Sequence, residues 1–424
     1  MTMTESPIFD KDIDSALRLE ALEEVVPTME ETALSHEYVN NHIHTTYSFS
    51  PYTPSAAVYA AKNAGLSTAG IMDHDSVAGC REFLQAGEIL SMPVTVGFEC
   101  RTSVAGTALA GKRLNNPDQK SVAYVTLHGI PHQNLDLCEA ALAPLRKKRN
   151  ERNRRMCTKI NEISAPFGIT MDFDRDVLPL SAYAQGGSVT ERHVLCALAT
   201  KIAGGTSRDA AVQKVGELCQ MAPADKALEK LCSAPEQYYL YDMLGILKSH
   251  LVSRIYIDAD EELLHIRDFI RLANQVDGIA AYAYLGDVTQ SPTGDKKAQQ
   301  FEDSYLDLLF DELKRLGFHA VTYMPSRNSR AQLERVMGLC RQYDFFQISG
   351  EDINSPRQSF LCEAMREYPH LIDATYALIG HEQYATFHPG KGMFTSGATE
   401  PLQERIKKYA AYGRQYKNRK EQSE

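Results

Sequence analysis

Short apolar runs alternate with helix-like segments along most of this chain, and that alternation most limits the folds open to it. From Tyr38 the pattern falls at 38–43, 54–64, 68–72, 77–90, 93–98 and 121–127. It returns at 252–257, 262–276, 278–284, 301–316, 318–323, 329–343 and 345–348. Such alternation predicts βα units and a mainly parallel sheet or barrel. Between the two halves lies a basic, helix-like stretch at 137–163, with Arg146, Lys147, Lys148, Arg149, Arg152, Arg154 and Arg155, and then further helices over 188–250. The expected organisation is an N-terminal helical extension (1–37), a first barrel part (38–134), a mainly helical insertion (135–250), a second barrel part (251–359) and a C-terminal helical extension (360–424). In the first segment, Ile13, Leu17, Leu19, Leu22 and Val26 have the spacing of an amphipathic helix.

A net charge of −10 and a pI near 5.8 argue against a general polyanion-binding surface, so long nucleic acid is not an expected partner. No stretch reaches the roughly 18 apolar residues of a membrane span, and no membrane partner is expected. Nine cysteines without a Cys-x-x-Cys pair suggest neither a disulfide framework nor a zinc ribbon, and fit a cytoplasmic protein. Oligomeric state is not legible.

Chemistry concentrates at the ends of predicted strands. The first ends in Asn41-His42-Ile43-His44-Thr45-Thr46-Tyr47-Ser48, where two histidines two apart point the same way and can chelate one ion. The second leads into Met72-Asp73-His74-Asp75, the third ends at Glu99, a carboxylate able to bridge two ions, and the last leads to Asp352. Four strand ends carrying ligand-type residues, at the place where α/β folds build their sites, point to a divalent metal. Mixed histidine and carboxylate donors suit zinc, manganese or iron.

His42-x-His44-Thr-Thr-Tyr-Ser, Met72-Asp73-His74-Asp75 and Val96-Gly97-Phe98-Glu99 resemble, in order and spacing, the first motifs of the PHP (polymerase and histidinol phosphatase) family. Gly187 to Leu198, containing Thr190-Glu191-Arg192-His193, resembles the branch with nucleotide phosphatases and short-RNA exonucleases, where the matching histidine is a metal ligand. Gly350-Glu351-Asp352-Ile353-Asn354 resembles the closing Asp-x-His motif. The resemblance covers roughly 38–356. It implies a distorted seven-stranded βα barrel whose mouth holds up to three divalent ions for phosphoester hydrolysis.

The chain departs from that pattern at several positions. Phe49 stands where the family has an aspartate, Tyr124 where it has a histidine, with His128 a candidate substitute, and Asn354 where the closing histidine falls. The Ala-His-Pro-Gly-Arg loop of many relatives reads Ala283-Tyr284-Leu285-Gly286-Asp287. By the family's grouping, the ion of His42, His44, Glu99 and Asp352 keeps every ligand. A second retains Glu99 and His193, and a third only His74. One firmly bound ion and a weaker second are expected.

The expected function is metal-dependent hydrolysis of a small phosphomonoester or nucleotide. His42, His44, Glu99, Asp352, His74 and His193 are the metal candidates, and His74, His193 and Asp73 the catalytic ones. Asp73 and Asp75 could also orient ligand histidines through their second ring nitrogen. Arg327 and Arg357 are the candidate phosphate contacts, whereas the run Arg146 to Arg155 reads as a solvated helix face. The alternative is a non-hydrolytic module that binds a phosphorylated ligand or a partner protein on a degenerate barrel.

Overall fold

The computed structural model describes residues 6–29, 38–288, 300–395 and 399–421. Its strands are β1 (Val39–Ile43), β2 (Thr68–His74), β3 (Val94–Ser103), β4 (Val122–His128), β5 (Leu264–His265), β6 (Ile279–Tyr284), β7 (Ala320–Tyr323) and β8 (Phe346–Ser349). The helices before and around the insertion are α1 (Ser15–Val25), α2 (Pro54–Asn63), α3 (Cys80–Ile89), α4 (Leu135–Ser164), α5 (Glu191–Ala203), α6 (Arg208–Cys219), α7 (Lys226–Cys232) and α8 (Glu236–Ile255). Then come α9 (Ile266–Gln275), α10 (Leu306–Leu316), α11 (Arg330–Tyr343), α12 (Pro369–Phe387) and α13 (Leu402–Glu421).

The sheet runs β1-β2-β3-β4-β6-β7-β8, with the two-residue β5 beside β3. It is a nearly closed, seven-stranded mixed barrel. β4 is antiparallel to both neighbours. No helix separates β3 from β4, and without a crossover the chain must reverse direction between adjacent strands. The run 252–257, expected to resume the βα pattern, instead begins within α8, whose Leu251 and Ile255 pack into the insertion's core. A short apolar run cannot be told from a buried helix turn by periodicity alone.

Closure comes from the segment after β8. Ile353 bridges to Ile43, His44 N donates to Ile353 O at 3.0 Å, and Ile353 N donates to His42 O at 3.2 Å. Gly350 permits this approach, because a Cβ there would lie 2.7 Å from His42 Cβ and 2.8 Å from its backbone nitrogen. Asp352 is thereby set beside the two β1 histidines.

Three apolar cores follow. One fills the space between strands and outer helices, and also takes in Ile8 and Leu22 of the N-terminal segment. There Arg18 pairs with Glu82, both side chains 4% exposed. The second belongs to the insertion, α5 to α8. Helix α4 is shared: Leu135, Cys138, Leu142 and Leu145 pack in the barrel core, Met156, Cys157 and Ile160 in the insertion core. The expected boundary between 134 and 135 thus falls ahead of a helix common to both. The third core sets α12 and α13 against Ile279, Ala281, Ala320, Phe346 and Ile348, near the N-terminal ends of β6, β7 and β8. These helices floor the barrel at the end away from the site.

Helices α12 and α13 meet backbone to backbone. A Cβ on Gly380 would run into the Tyr409 carbonyl oxygen, and one on Gly413 into that of Tyr376. Gly380→Ala is therefore expected to cost about 1–3 kcal/mol, as overpacking does when backbone must move. Urea unfolding measures it; unchanged stability would mean that the helices can separate freely.

Candidate metal centre

The donors converge from four strand ends. His42 and His44 share one side of the β1 terminus, with ring centroids 5.1 Å apart, and the His44 ring stacks on that of His74 at 4.7 Å. His44 Nε2 lies 3.1 Å from Asp352 Oδ1, His74 Nδ1 lies 3.0 Å from Glu99 Oε2, and His42 Nε2 lies 4.0 Å from the same oxygen. Two sets can each surround an ion: His42, His44 and Asp352, and His44, His74 and Glu99, with ligand atoms within 4.8 Å of one another. Three imidazoles and two carboxylates fit a divalent transition metal. His74, assigned by the family grouping to a third ion, shares a set with His44 and Glu99.

Burial and the donors' mutual contacts set their protonation. Burial works against charge on Asp352, yet its hydrogen bond to His44 and the nearby imidazoles hold its carboxyl well below the usual range. Burial pushes Glu99 up and His42 down, and burial together with His44 and Arg149 holds His74 well below an ordinary histidine. For His44 the bond and charge of Asp352 outweigh burial and raise its pKa.

Asp73 does not face this cluster. Its carboxylate accepts from Thr45 N at 2.7 Å, Thr45 Oγ1 at 2.5 Å and Ser48 Oγ at 2.6 Å. Ser48 Oγ in turn meets His44 Nδ1 at 3.3 Å, so Asp73 reaches the histidine only through that hydroxyl. Asp75, at φ +51°, pairs with Arg149 and orients no histidine ring directly among the described residues.

The substituted positions have taken other work. Phe49 is buried in the insertion's core, edge-on to His193 at 4.9 Å and 5.9 Å from the Tyr241 ring. Asn354 Nδ2 donates to Asp352 Oδ1. Tyr124 stands 5.9 Å from the His74 ring, and burial raises its phenol far above the ordinary value. His128 does not replace it at the rim: antiparallel β4 sets His128 opposite Gly97, two residues deeper than Glu99.

His193 caps α5, its Nδ1 accepting from Thr190 N at 3.0 Å, and it joins neither donor set among the described residues. Arg357 grips Asp242 with two bonds of 2.6 and 2.7 Å over the Tyr238 ring, so its guanidinium is already engaged. Arg327 Nε donates to Leu285 O at 3.2 Å.

The basic run is not one solvated face. Arg146, Arg149 and Arg152, three apart, turn inward and are buried, while Lys147, Arg154 and Arg155 are exposed. Arg149, Arg152 and Arg101 converge on Glu191; Arg101 and Arg152 also pair with Glu262. This network ties β3 of the barrel to α4 and α5 of the insertion. The i, i+3, i+6 spacing was its one sequence signal, and charge masked it.

No family model matches the chain, and no curated protein does. Among solved structures, a candidate metal-dependent phosphoesterase from Bifidobacterium adolescentis aligns over 80% of this chain and 96% of its own, at 18% identity and a TM-score of 0.50. An amidohydrolase from Chromobacterium violaceum, with bound sulfate and no metal, aligns over 79% and 96% at 16% identity and a TM-score of 0.49. The first likeness shows the fold alone: this chain is built as the same kind of nearly closed, seven-stranded mixed α/β barrel as that structure.

Proposed function

We propose that this protein is a metal-dependent phosphoesterase acting on a small phosphomonoester or nucleotide. The observation that supports it is the convergence of His42, His44, His74, Glu99 and Asp352 at the barrel mouth. A divalent ion there would supply an acidified water and neutralise charge on phosphoryl oxygens. His42, His44, Glu99, Asp352 and His74 would hold it. Because Nδ1 of His193 accepts a backbone N–H, its Nε2 carries the proton when the ring is neutral. That suits His193 to donating a hydrogen bond rather than to ligation or proton transfer. Burial lowers its pKa to about 3, so it stays neutral at working pH. Arg327 is the phosphate contact of this reading, and Asp73 acts by holding Thr45 and Ser48 in place.

Hydrolysis of a panel of nucleotides and sugar phosphates with zinc, manganese or iron tests the proposal. Folded protein inert with all three would defeat it. The non-hydrolytic alternative draws on Phe49, which puts a phenyl where the family has a carboxylate, and on Asn354.

Ion number follows from His44. It belongs to both donor sets, and its Nδ1 already meets Ser48, so one Nε2 lone pair serves one ion. Elemental analysis after mild chelation should find about one ion per chain; three firmly retained ions would refute the grouping. Phe49→Asp should not restore a second, because it buries a carboxylate in the insertion's apolar core.

A further inference from the structure

The Ser48 hydroxyl touches two side chains of the site. Its Oγ lies 2.6 Å from Asp73 Oδ1 and 3.3 Å from His44 Nδ1. A hydroxyl has a single proton, so it can donate to only one of them. His44 and Asp73 are each 1% exposed, and Thr45 and Ser48 are fully buried, so bulk water does not compete for these contacts.

The direction of that proton is set around Asp73. Its Oδ1 also accepts from Thr45 N at 2.7 Å, and a peptide N–H can only donate. Its Oδ2 meets Thr45 Oγ1 at 2.5 Å, and the same hydroxyl oxygen accepts from Tyr47 N at 3.2 Å, which leaves the threonine proton for Asp73. With Oδ1 an acceptor, a Ser48 oxygen 2.6 Å away and no proton between them would set lone pair against lone pair. The Ser48 proton therefore lies toward Asp73, in the shorter of its two contacts. Toward His44 it presents a lone pair, which only an Nδ1–H can meet.

The opposite nitrogen has a rival claim. His44 Nε2 lies 3.1 Å from Asp352 Oδ1, and Asp352 alone would draw the ring's proton there, leaving no lone pair for an ion. Asp352 can do without that proton: its side chain is 37% exposed to water, and Asn354 Nδ2 donates to the same oxygen. Ser48 has no such relief, because a bare Nδ1 would face its lone pair in a dry site.

We propose that Ser48 is a positioning residue for His44, turned by Asp73 so that it accepts from Nδ1–H and leaves the Nε2 lone pair to the ion. Hydrogen-bond direction carries the effect, so an amide oxygen in place of Asp73 Oδ1 would serve as well. The proposal rests on the assignment of His44 as a ligand, made above.

Imidazole proton–nitrogen correlation spectra of the metal-free, full-length protein test it, in mildly alkaline buffer where the ring carries one proton and with His44→Gln for assignment. Wild type should show that proton on Nδ1. Asp73→Ala frees the Ser48 hydroxyl to turn and donate to Nδ1, so His44 should become the Nε2–H tautomer. Ser48→Ala should shift it the same way, whereas Asp73→Asn should keep the wild-type form. Zinc affinity by chelator competition should fall about 10–100-fold in Ser48→Ala and Asp73→Ala, and stay near wild type in Asp73→Asn. If Asp73→Ala fails to fold, Ser48→Ala, which removes a single oxygen, carries the test. A bare His44 Nδ1 in wild type, or an Nδ1 proton retained in Ser48→Ala, overturns the proposal. Wild type that binds no zinc would sink the metal reading instead, and the metal-free spectra would still decide this one.

Discussion

Replacing His44 with alanine is expected to release the bound ion and lower hydrolysis by about 10²–10³-fold or more, with the fold retained. His44 is the one residue in both donor sets, so its loss leaves two ligands in each, His42 with Asp352 and His74 with Glu99. Asp352→Asn, nearly the same shape, should weaken binding less, because the His42, His44, His74 and Glu99 donors persist. Metal content by elemental analysis, kcat/KM on the best substrate and circular dichroism together read the result. His44→Ala protein that holds a full complement of metal would refute the centre as drawn here.

Glu191→Ala should destabilise the protein by about 3–5 kcal/mol, the range for a buried ionic network that loses one partner. Three arginines converge on this carboxylate: Arg149 at 3.0 Å, Arg101 at 3.3 Å and Arg152. Asp75 and Glu262 remain, but they already serve Arg149 and the Arg101–Arg152 pair. Removing Glu191 therefore leaves buried positive charge uncompensated where α4 and α5 meet β3. Urea unfolding measures the loss, and a change below about 1 kcal/mol would show that the remaining acids suffice. The sign with pH is fixed as well. Burial alone would raise the Glu191 pKa, but Arg149, Arg152 and Arg101 hold it well below the ordinary value of 4.5. Its contribution is thus present above pH 4.5 and is lost as pH falls through the depressed value. Wild type should lose stability more steeply than Glu191→Gln in that acid range.

The sequence by itself determined the strand ends and what they carry. Periodicity placed β1, β2, β3, β4, β6, β7 and β8 within a few residues, because buried strands flanked by amphipathic helices leave a local pattern. The candidate donors His42, His44, His74, Glu99 and Asp352 were legible for the same reason: donor-type residues at the C-terminal ends of strands are marked by the strand before them. Only the tertiary structure decided how they group. His74 stands beside Glu99 because parallel β2 and β3 pair those two residues directly, and Asp352 stands beside His44 because Ile353 bridges to Ile43. His128 sits deep rather than at the rim because β4 is antiparallel, and strand direction is set by pairing between distant segments. Arg146, Arg149 and Arg152 read as solvent-facing because charge on a helix ordinarily seeks water. Glu139 lies two turns before Arg146 on the same helix, but the burial of Arg149 and Arg152 depends on Glu191, Asp75 and Glu262, carboxylates some 39 to 110 residues away whose approach no local pattern encodes.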